Sequence, residues 1–381
     1  MISSFVQFIR DIYGRPEGVI PLHETSIKAG DMQSVMACLE SGIVSTVGET
    51  VVAFEEKVAK LTERRYAVAT NTGTSALHLA LLSSGVQPND MVVTQAFSFV
   101  ATCNAIRYCS AEPVFVDIDR QSLGMSVESL LSFLERETFM KDDGYSYHRM
   151  SGKRVSHCLP VCTFGHSPEL QKMEVVCKKF GLKLIVDAAE ALGSESYKQS
   201  VPSWGDASIL SFNGNKIVTC GGGGMLLTND KKLADIARSL SVQARQANGY
   251  QITYQAMAYN YRMPNLNASL GISQLDLLHK KLLKLRELAS AYHNFFEKYA
   301  MLVVQEPEAT TSNYWLNAVA FNSQDERDHF IAQTNREGIL TRPAWKLLCH
   351  LSMYKDCFRT VLPNADWAEQ HLALLPSFVN I

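Results

Sequence analysis

The chain has no apolar run long enough to cross a membrane, no low-complexity tract, no internal repeat and almost no net charge. A membrane-spanning helix needs about 20 predominantly apolar residues, so the first absence excludes one. Lysine plus arginine (36) nearly balance aspartate plus glutamate (38), leaving a formal charge of −2. That balance excludes a nucleic-acid binder working through bulk positive charge. The opening "MISSFVQFIRDIYG" is amphipathic, but Arg10 and Asp11 interrupt it and no basic leader precedes it. It does not read as a signal peptide, and the expectation is a cytoplasmic protein without membrane or nucleic-acid partners. A regular cysteine framework is also missing. The nine cysteines are scattered, with Cys38, Cys103, Cys109 and Cys177 in apolar company, as befits reduced buried thiols. "HCLPVCTFGH" offers His157, Cys158, Cys162 and His166, but at a spacing that fits no standard zinc module. It reads as a buried strand followed by a loop, and no metal is expected.

What is present is 381 residues at 46% hydrophobic and 19% charged, enough for two domains with a substantial core. From Glu49 to Arg245 amphipathic helices alternate with short apolar strands. "ETVVAFEEKVAKLT", "TSALHLALLSSG" and "PELQKMEVVCKKFG" have helical spacing, as does the stretch from Val100 to Tyr108. "YAVAT", "DMVVTQ", "EPVFVDI", "VSHCLPV", "LKLIVD" and "ASILSFN" read as strands, and "GGMLLTND" as one more, antiparallel to the rest. This alternation predicts right-handed βαβ units and a mostly parallel sheet flanked by helices. After Gln246 a long amphipathic segment, Asn265 to Tyr299, gives way to an α+β pattern with strands at "LNAVAFN" and "GILTRPAW" and a helix at "QDERDHFIAQTNREG". The division is a large α/β domain over residues 1–245, carrying an amino-terminal arm, and a smaller α+β domain over 246–381.

Open α/β sheets bind ligands beyond the carboxyl ends of their strands, which directs attention to four loops. In "NTGTSA", Gly73, Thr74 and Ser75 open a helix whose free N–H groups suit a phosphate, although such residues are also ordinary caps. The glycine-lysine-serine/threonine of a phosphate-binding Walker loop is absent. "QAFSF" supplies Phe97 and Phe99, either of which can cover a flat ring or pack in the core. "LKLIVDAAEALG" ends an apolar strand on Asp187, costly there unless exposed or partnered, and a protonated pyridine nitrogen is one such partner. "SFNGNK" brings Ser211 and Lys216 to another strand end, with Gly221 to Gly224 directly after. A lysine amine becomes a nucleophile when burial or a nearby cation lowers its pKa from about 10.4. Phosphate donors, a ring-covering aromatic, an aspartate and a lysine are the parts list for pyridoxal phosphate. The four glycines are expected to turn the chain tightly back into the sheet behind that lysine.

The chain resembles the DegT/DnrJ-type sugar aminotransferases, which are fold-type I pyridoxal-phosphate enzymes. The likeness runs through "STVGETVVAFEEKVAKL", "YAVATNTGTSALHLAL", "AFSFVATCNAI", "PVFVDID", "DAAEALGS", "SFNGNKIVTCGGGGML" and "YNYRMPNLNASLGISQL". Within the family, "FIRDIYG…IPLHE", "NYWLNAV" and "TRPAW" resemble the branch acting on UDP-4-keto-6-deoxy-N-acetylhexosamines, which serves legionaminic acid, bacillosamine and related surface glycans. The resemblance implies Lys216 as the Schiff-base lysine, Asp187 as partner of the pyridine nitrogen and Phe99 as the stacking ring. It implies Gly73, Thr74, Ser75 and Ser211 at the phosphate, and Glu190 near the ring face where relatives often have Gln or His. Asn260 would reach the phosphate of a neighbouring subunit, which makes a homodimer with shared sites part of the expectation. Ser45, Thr46 and Val47 would lie near the sugar, with Tyr314, Arg342 and Trp345 on the substrate side. Structural alternatives are a turn cap for Asn260, an ion pair for Arg262 and core packing for Trp345. The carboxyl-terminal "LPSFVN" departs from the more polar ending of relatives. The implied reaction moves an amino group from L-glutamate, through pyridoxamine phosphate, to the C4 ketone of a UDP-linked sugar. A C3 ketone, or a GDP- or dTDP-sugar, stays open. A sugar dehydratase of the same fold has histidine at the lysine position, so Lys216 speaks against it. A non-catalytic regulator would have no need of the complete set.

Overall fold

Seven strands are buried along almost their whole length, the pattern of a sheet covered on both faces. The computed structural model describes residues 1–248 and 250–380. In chain order the strands are β1 (Tyr66–Thr70), β2 (Met91–Gln95), β3 (Glu112–Val116), a hairpin β4–β5 (Thr138–Met140, Ser146–His148), β6 (Arg154–Leu159), β7 (Lys183–Asp187), a short hairpin β8–β9 (Glu195–Ser196, Gln199–Ser200), β10 (Ala207–Ser211) and β11 (Gly224–Thr228). The main sheet runs β1-β11-β10-β7-β6-β2-β3, with the β4–β5 hairpin attached to β6. Pairings from β10 to β3 are parallel, whereas β11 is antiparallel to both its neighbours, as its sequence led us to expect. One face packs on helices Gly73–Ser84, Ala101–Tyr108 and Lys231–Ser241. The other packs on Glu49–Leu61, Val127–Glu137, Leu170–Phe180 and Asn265–Asp276.

Because β11 runs against its neighbours, its first residue lies level with the last residues of β1 and β10. Gly224 pairs with Thr70 on one side and Ser211 on the other. The helix Gly73–Ser84 starts directly over this junction, capped by Thr72, whose Oγ1 accepts from Ser75 N at 3.0 Å. A Cβ on Gly224 would fall on Thr72 O and lie 2.7 Å from Gly73 N, and one on Gly73 would lie 2.9 Å from Ser211 Cβ. Gly221 turns the chain with φ +74, in the region that favours glycine. The glycine run therefore serves both a tight turn and a close backbone approach.

A second layer lies carboxyl-terminal. After the exposed hairpin β12–β13 (Arg245–Asn248, Gln251–Tyr254), the expected long amphipathic segment forms two helices, Asn265–Asp276 and Leu278–Glu297, that break at Leu277. A two-residue strand β14 (Thr310–Thr311) extends β8, and a small antiparallel sheet has the order β15 (Asn317–Ala320), β17 (Leu372–Leu375), β16 (Arg342–Pro343). "GILTRPAW" thus contributes two residues to this sheet and, at Ile339, an isolated parallel bridge to Ile20; Pro343 has no N–H to continue the ladder. The helix Ile2–Tyr13, read from sequence as an amino-terminal arm, packs on carboxyl-terminal elements. Its buried Phe5 and Ile9 join a cluster with Tyr292, Phe295, Phe296 and Phe330. Among the described residues no helix is long and apolar enough to cross a membrane. All nine cysteines are free thiols, eight of them buried.

The His157–His166 stretch is β6 and the loop after it, and its side chains are buried apart, with separate neighbours. His157 Nε2 lies 3.0 Å from Ser84 Oγ, Cys158 Sγ donates to Met125 Sδ, and His166 meets Tyr314 edge-on. Burial pushes the imidazoles of His157 and His166 from an ordinary 6.5 down to about 4. The unfolded chain takes up these protons near pH 6.5 and the folded chain only near 4. Each ring's contribution is complete above 6.5 and is lost as the pH falls toward 4, by roughly 3 kcal/mol per ring. A His157→Gln variant should therefore lose less stability than the parent between pH 6.5 and 4 in urea denaturation; parallel curves would contradict this. Separately, Gly224→Ala should destabilise the protein by about 1–3 kcal/mol, read as a lower denaturation midpoint, because the backbone it meets has no room to yield.

Candidate active site

A cavity of about 440 Å³ lies between the carboxyl ends of the parallel strands and residues of the amino-terminal segment and the small carboxyl-terminal sheet. Gly73, Thr74, Phe99, Asp187, Glu190, Ser211 and Lys216 line it from the sheet side; His23, Trp315, Arg342, Trp345 and Leu374 line it from the other. β7 ends on Asp187 and β10 on Ser211, so the two strand ends fix the two polar groups, and the turn after β10 carries Lys216. That turn closes with Lys216 N donating to Asn213 O at 3.0 Å.

Asp187 is 5% exposed. Its Oδ2 accepts from Thr102 Oγ1 at 2.9 Å and its Oδ1 from Ala189 N at 3.2 Å, both neutral donors. Burial raises its pKa, against these two hydrogen bonds and the charge of Lys216. Glu190 lies beside the lysine, with Oε1 3.2 Å from Lys216 Nζ, while its Oε2 accepts from Phe164 N at 2.9 Å. Burial raises the Glu190 pKa too, opposed chiefly by Lys216. Lys216 Nζ also sits 3.7 Å from the centroid of the Trp315 ring, a cation–π contact in a site largely closed to water. His23 stacks on the same indole, 5.0 Å between centroids at 13°. Burial and then Lys216 lower its pKa to about 4, which leaves the imidazole neutral at pH 7.

The start of helix Gly73–Ser84, at Gly73 and Thr74, lines the cavity together with Ser211, and a helix N-terminus suits a phosphate. Ser75 is committed within the helix start. Its Oγ donates to Asn71 Oδ1 at 2.7 Å and lies 2.8 Å from Thr72 Oγ1, and it is Thr72 that lines the cavity. Phe99 stands at the cavity 58% exposed, whereas Phe97 is fully buried against Phe164 and Trp345. Trp345 thus both packs and lines the cavity, and Arg342 is exposed at its rim.

Other expected residues lie elsewhere. Tyr314 turns its ring to His166, and its hydroxyl accepts from Glu306 N at 3.2 Å. Its backbone is left-handed, φ 48, and this kink delivers the next side chain, Trp315, to the cavity in its place. Ser45, Thr46 and Val47 form a loop whose carbonyls accept from Asn265 N, Arg262 Nε and Asn265 Nδ2; none of the three lines this cavity. Arg262 is thereby a backbone tie. Asn260 is exposed, its carbonyl accepting from Asn71 Nδ2 at 3.4 Å, and it too is outside the cavity lining of its own chain. The apolar ending "LPSFVN" follows Leu374, and Ser377 Oγ there accepts from Asn317 N at 2.9 Å. His23, Thr102 and Trp315 were missed from sequence. Thr102 alone had a local signal, three positions after Phe99 at the start of a helix.

The residues present fit pyridoxal phosphate. A buried carboxylate hydrogen-bonded by neutral donors suits a cationic ring nitrogen, and the helix start at Gly73 and Thr74 beside Ser211, with Gly222 and Gly223 on the same lining, suits a phosphate. Lys216 is the amine that lines the same cavity.

Comparison with known proteins agrees. Residues 25–381 match the DegT/DnrJ/EryC1/StrS aminotransferase family. The chain is 32% identical over 363 residues to GDP-perosamine synthase of Vibrio cholerae, covering 94% of each chain. It is 33% identical over 316 residues to the putative pyridoxal phosphate-dependent aminotransferase EpsN of Bacillus subtilis, covering 82% of this chain and 78% of that one. Among solved structures, the aminotransferase TlmJ from Streptoalloteichus hindustanus superposes with a TM-score of 0.84 at 25% identity, covering 95% and 94%. The PLP form of the putative sugar aminotransferase Spr1654 from Streptococcus pneumoniae gives 0.85 at 23%, covering 95% and 94%. These likenesses establish the family and the fold-type I architecture without selecting the UDP-sugar branch. The chain belongs to the DegT/DnrJ/EryC1/StrS aminotransferase family and is a pyridoxal-phosphate-dependent sugar aminotransferase.

Proposed function

We propose that the enzyme moves the amino group of L-glutamate to the C4 ketone of a nucleotide-linked 4-keto-6-deoxy sugar, with UDP-4-keto-6-deoxy-N-acetylhexosamines as the acceptor class, for bacterial surface glycans. The observation that carries the reaction type is the convergence of Asp187, Glu190 and Lys216 in one cavity. The acceptor class rests on the resemblance of "IPLHE", "NYWLNAV" and "TRPAW", stretches that supply His23, Trp315, Arg342 and Trp345 to its second wall. A GDP-linked acceptor is the second reading, favoured by the names of the relatives from Vibrio cholerae and Escherichia coli O157:H7, both GDP-perosamine synthases.

Bound pyridoxal phosphate supplies the carbonyl that takes the amino group and the ring that draws electrons from the substrate carbon. Asp187 holds the ring nitrogen cationic. The N-terminus of helix Gly73–Ser84 and Ser211 neutralise the phosphate, and Phe99 covers the ring. Lys216 would hold the cofactor's aldehyde and, as a free amine, would move the proton at the substrate carbon, with Glu190 beside it at 3.2 Å to receive its ammonium. Arg342 is the second cation lining the cavity, after Lys216. Glutamate and a nucleotide diphosphate are both anionic, so Arg342 is placed to receive each in turn. The functional unit is a homodimer in which Asn260 reaches the neighbour's phosphate. In support, Tyr250, Ile252, Tyr254 and Met257 leave a large apolar surface exposed just before it.

Incubation with L-glutamate and UDP-, GDP- and dTDP-linked 3-keto and 4-keto sugars, with product stereochemistry determined, should give turnover of a UDP-linked 4-keto sugar; turnover confined to 3-keto sugars would overturn the reading. Borohydride should fix the cofactor mass on Lys216, and Lys216→Ala should lose the yellow colour and at least about 10²-fold in kcat. Arg342→Ala should raise KM for both substrates about tenfold with a smaller change in kcat, the loss of a charge-assisted hydrogen bond common to both.

A further inference from the structure

The turn that carries Lys216 is held by its backbone from three directions. Gly214 O accepts from Thr25 Oγ1 at 2.6 Å, Asn215 O from Trp315 Nε1 at 2.8 Å and Ile217 O from Lys281 Nζ at 2.8 Å. None of the donors belongs to the main sheet. Thr25 follows the amino-terminal helix, Trp315 leads into β15, and Lys281 lies in the first turn of helix Leu278–Glu297. Carbonyls on both sides of the lysine are therefore fixed by side chains from outside the main sheet.

Lys281 is the costly member of this set. Its side chain is buried, 6% exposed, and burial lowers its pKa to about 8, with Asp31 raising and Lys28 further lowering it. An ammonium in such a place persists only where partners replace its water. Lys281 Nζ donates to Gln274 Oε1 at 2.5 Å, and Gln274 Nε2 donates to Asp31 Oδ2 at 2.7 Å and to Ser26 O at 3.2 Å. Asp31 Oδ2 in turn accepts from Lys28 N at 2.8 Å, where helix Ala29–Glu40 begins. Lys281, Gln274 and Asp31 are buried, and Asp31 Oδ1 has no hydrogen-bond partner among the described groups. Lys281 thus answers two oxygens, Ile217 O and Gln274 Oε1, at a desolvation cost that a neutral donor to the carbonyl would lessen. A second small cavity, about 40 Å³, separates Lys281 from Lys216 and shares Trp315 with the first.

We propose that Lys281 is a positioning residue for Lys216. Through Ile217 O it sets where the catalytic amine stands relative to Glu190 and the cofactor, and the relay to Gln274 and Asp31 sets Lys281. The proposal rests on the reading of Lys216 as the catalytic amine. Displacement of a reacting group by about 1 Å can cost about 10²-fold in rate, which gives the scale of the effect.

The test compares holoenzyme carrying Lys281→Met or Lys281→Arg with the parent, each first shown to fold by circular dichroism. Lys281→Met should lower kcat about 10- to 100-fold with KM for both substrates within about twofold. It should also shift the pH midpoint of the cofactor–lysine absorbance band and speed amide hydrogen exchange across residues 213–219. Lys281→Arg keeps a charged donor and should restore part of each. A folded Lys281→Met enzyme with parental kcat, midpoint and exchange overturns the proposal. Should Lys281→Met not fold, Lys281→Gln removes the charge while keeping a neutral amide, and the same outcomes decide. Borohydride labelling separates the two claims. Unlabelled Lys216 in the parent removes the functional reading itself, whereas labelled Lys216 with an indifferent Lys281 removes only this inference.

Discussion

The Lys216 ammonium and the Glu190 carboxylate meet at 3.2 Å with 13% and 5% of their side chains exposed, and a second buried carboxylate, Asp187, opens on the same cavity. Two charges taken out of water regain only part of their hydration energy from each other, so the surroundings must supply the remaining hydrogen bonds. Phe164 N–H completes Glu190, Thr102 and Ala189 complete Asp187, and the Trp315 ring face meets the ammonium. Phe164 does so with φ 57, a left-handed backbone uncommon for a bulky residue, in the loop directly after β6. Strain of this kind persists where the packing around it is over-determined, as the full burial of Phe164 between Phe97 and Trp345 makes it here.

The two walls of the cavity are built on different principles. Where helix Gly73–Ser84 begins the sheet side is largely backbone, while Phe99, Asp187, Glu190 and Lys216 line the rest of it with side chains. Gly224 and Gly73 let strand, turn and helix start approach so closely that no side chain enters, leaving N–H groups and Ser211 to face an anion. The opposite side is all side chain, with His23 from the amino-terminal segment and Trp315, Arg342, Trp345 and Leu374 from carboxyl-terminal elements. In the proposed function the sheet side serves the chemistry common to every substrate, and selection among sugars falls to the wall of His23, Trp315, Arg342 and Trp345.

Much of this was legible in the residues. β1, β2, β7, β10 and β11 are apolar runs because both faces of the sheet are covered, and such runs show in any sequence. Asp187 and Ser211 stood out because each is polar at the end of such a run. Local pattern failed where a single torsion or a distant partner decided the outcome. The positive φ of Tyr314 exchanges which of two neighbouring aromatics faces the cavity, and no periodicity records it. The helix Ile2–Tyr13 shows an apolar stripe but not the partner for it, which proved to be the aromatic cluster around Phe296. The break at Leu277 falls inside an unbroken amphipathic pattern.

The sequence by itself determined the strand and helix order, the polar residues at the strand ends and, through them, the cofactor. Those features depend on neighbours within a few positions and on the rule that ligands collect where parallel strands end. Only the tertiary structure decided what surrounds the lysine. Glu190 is 26 residues from Lys216, Lys281 is 64 from Ile217 and Trp315 is 100 from Asn215, yet all three bear on one turn. Such contacts form when the main sheet, carboxyl-terminal elements and an amino-terminal segment close around a buried charge, and separations of that size leave no local trace in the order of residues.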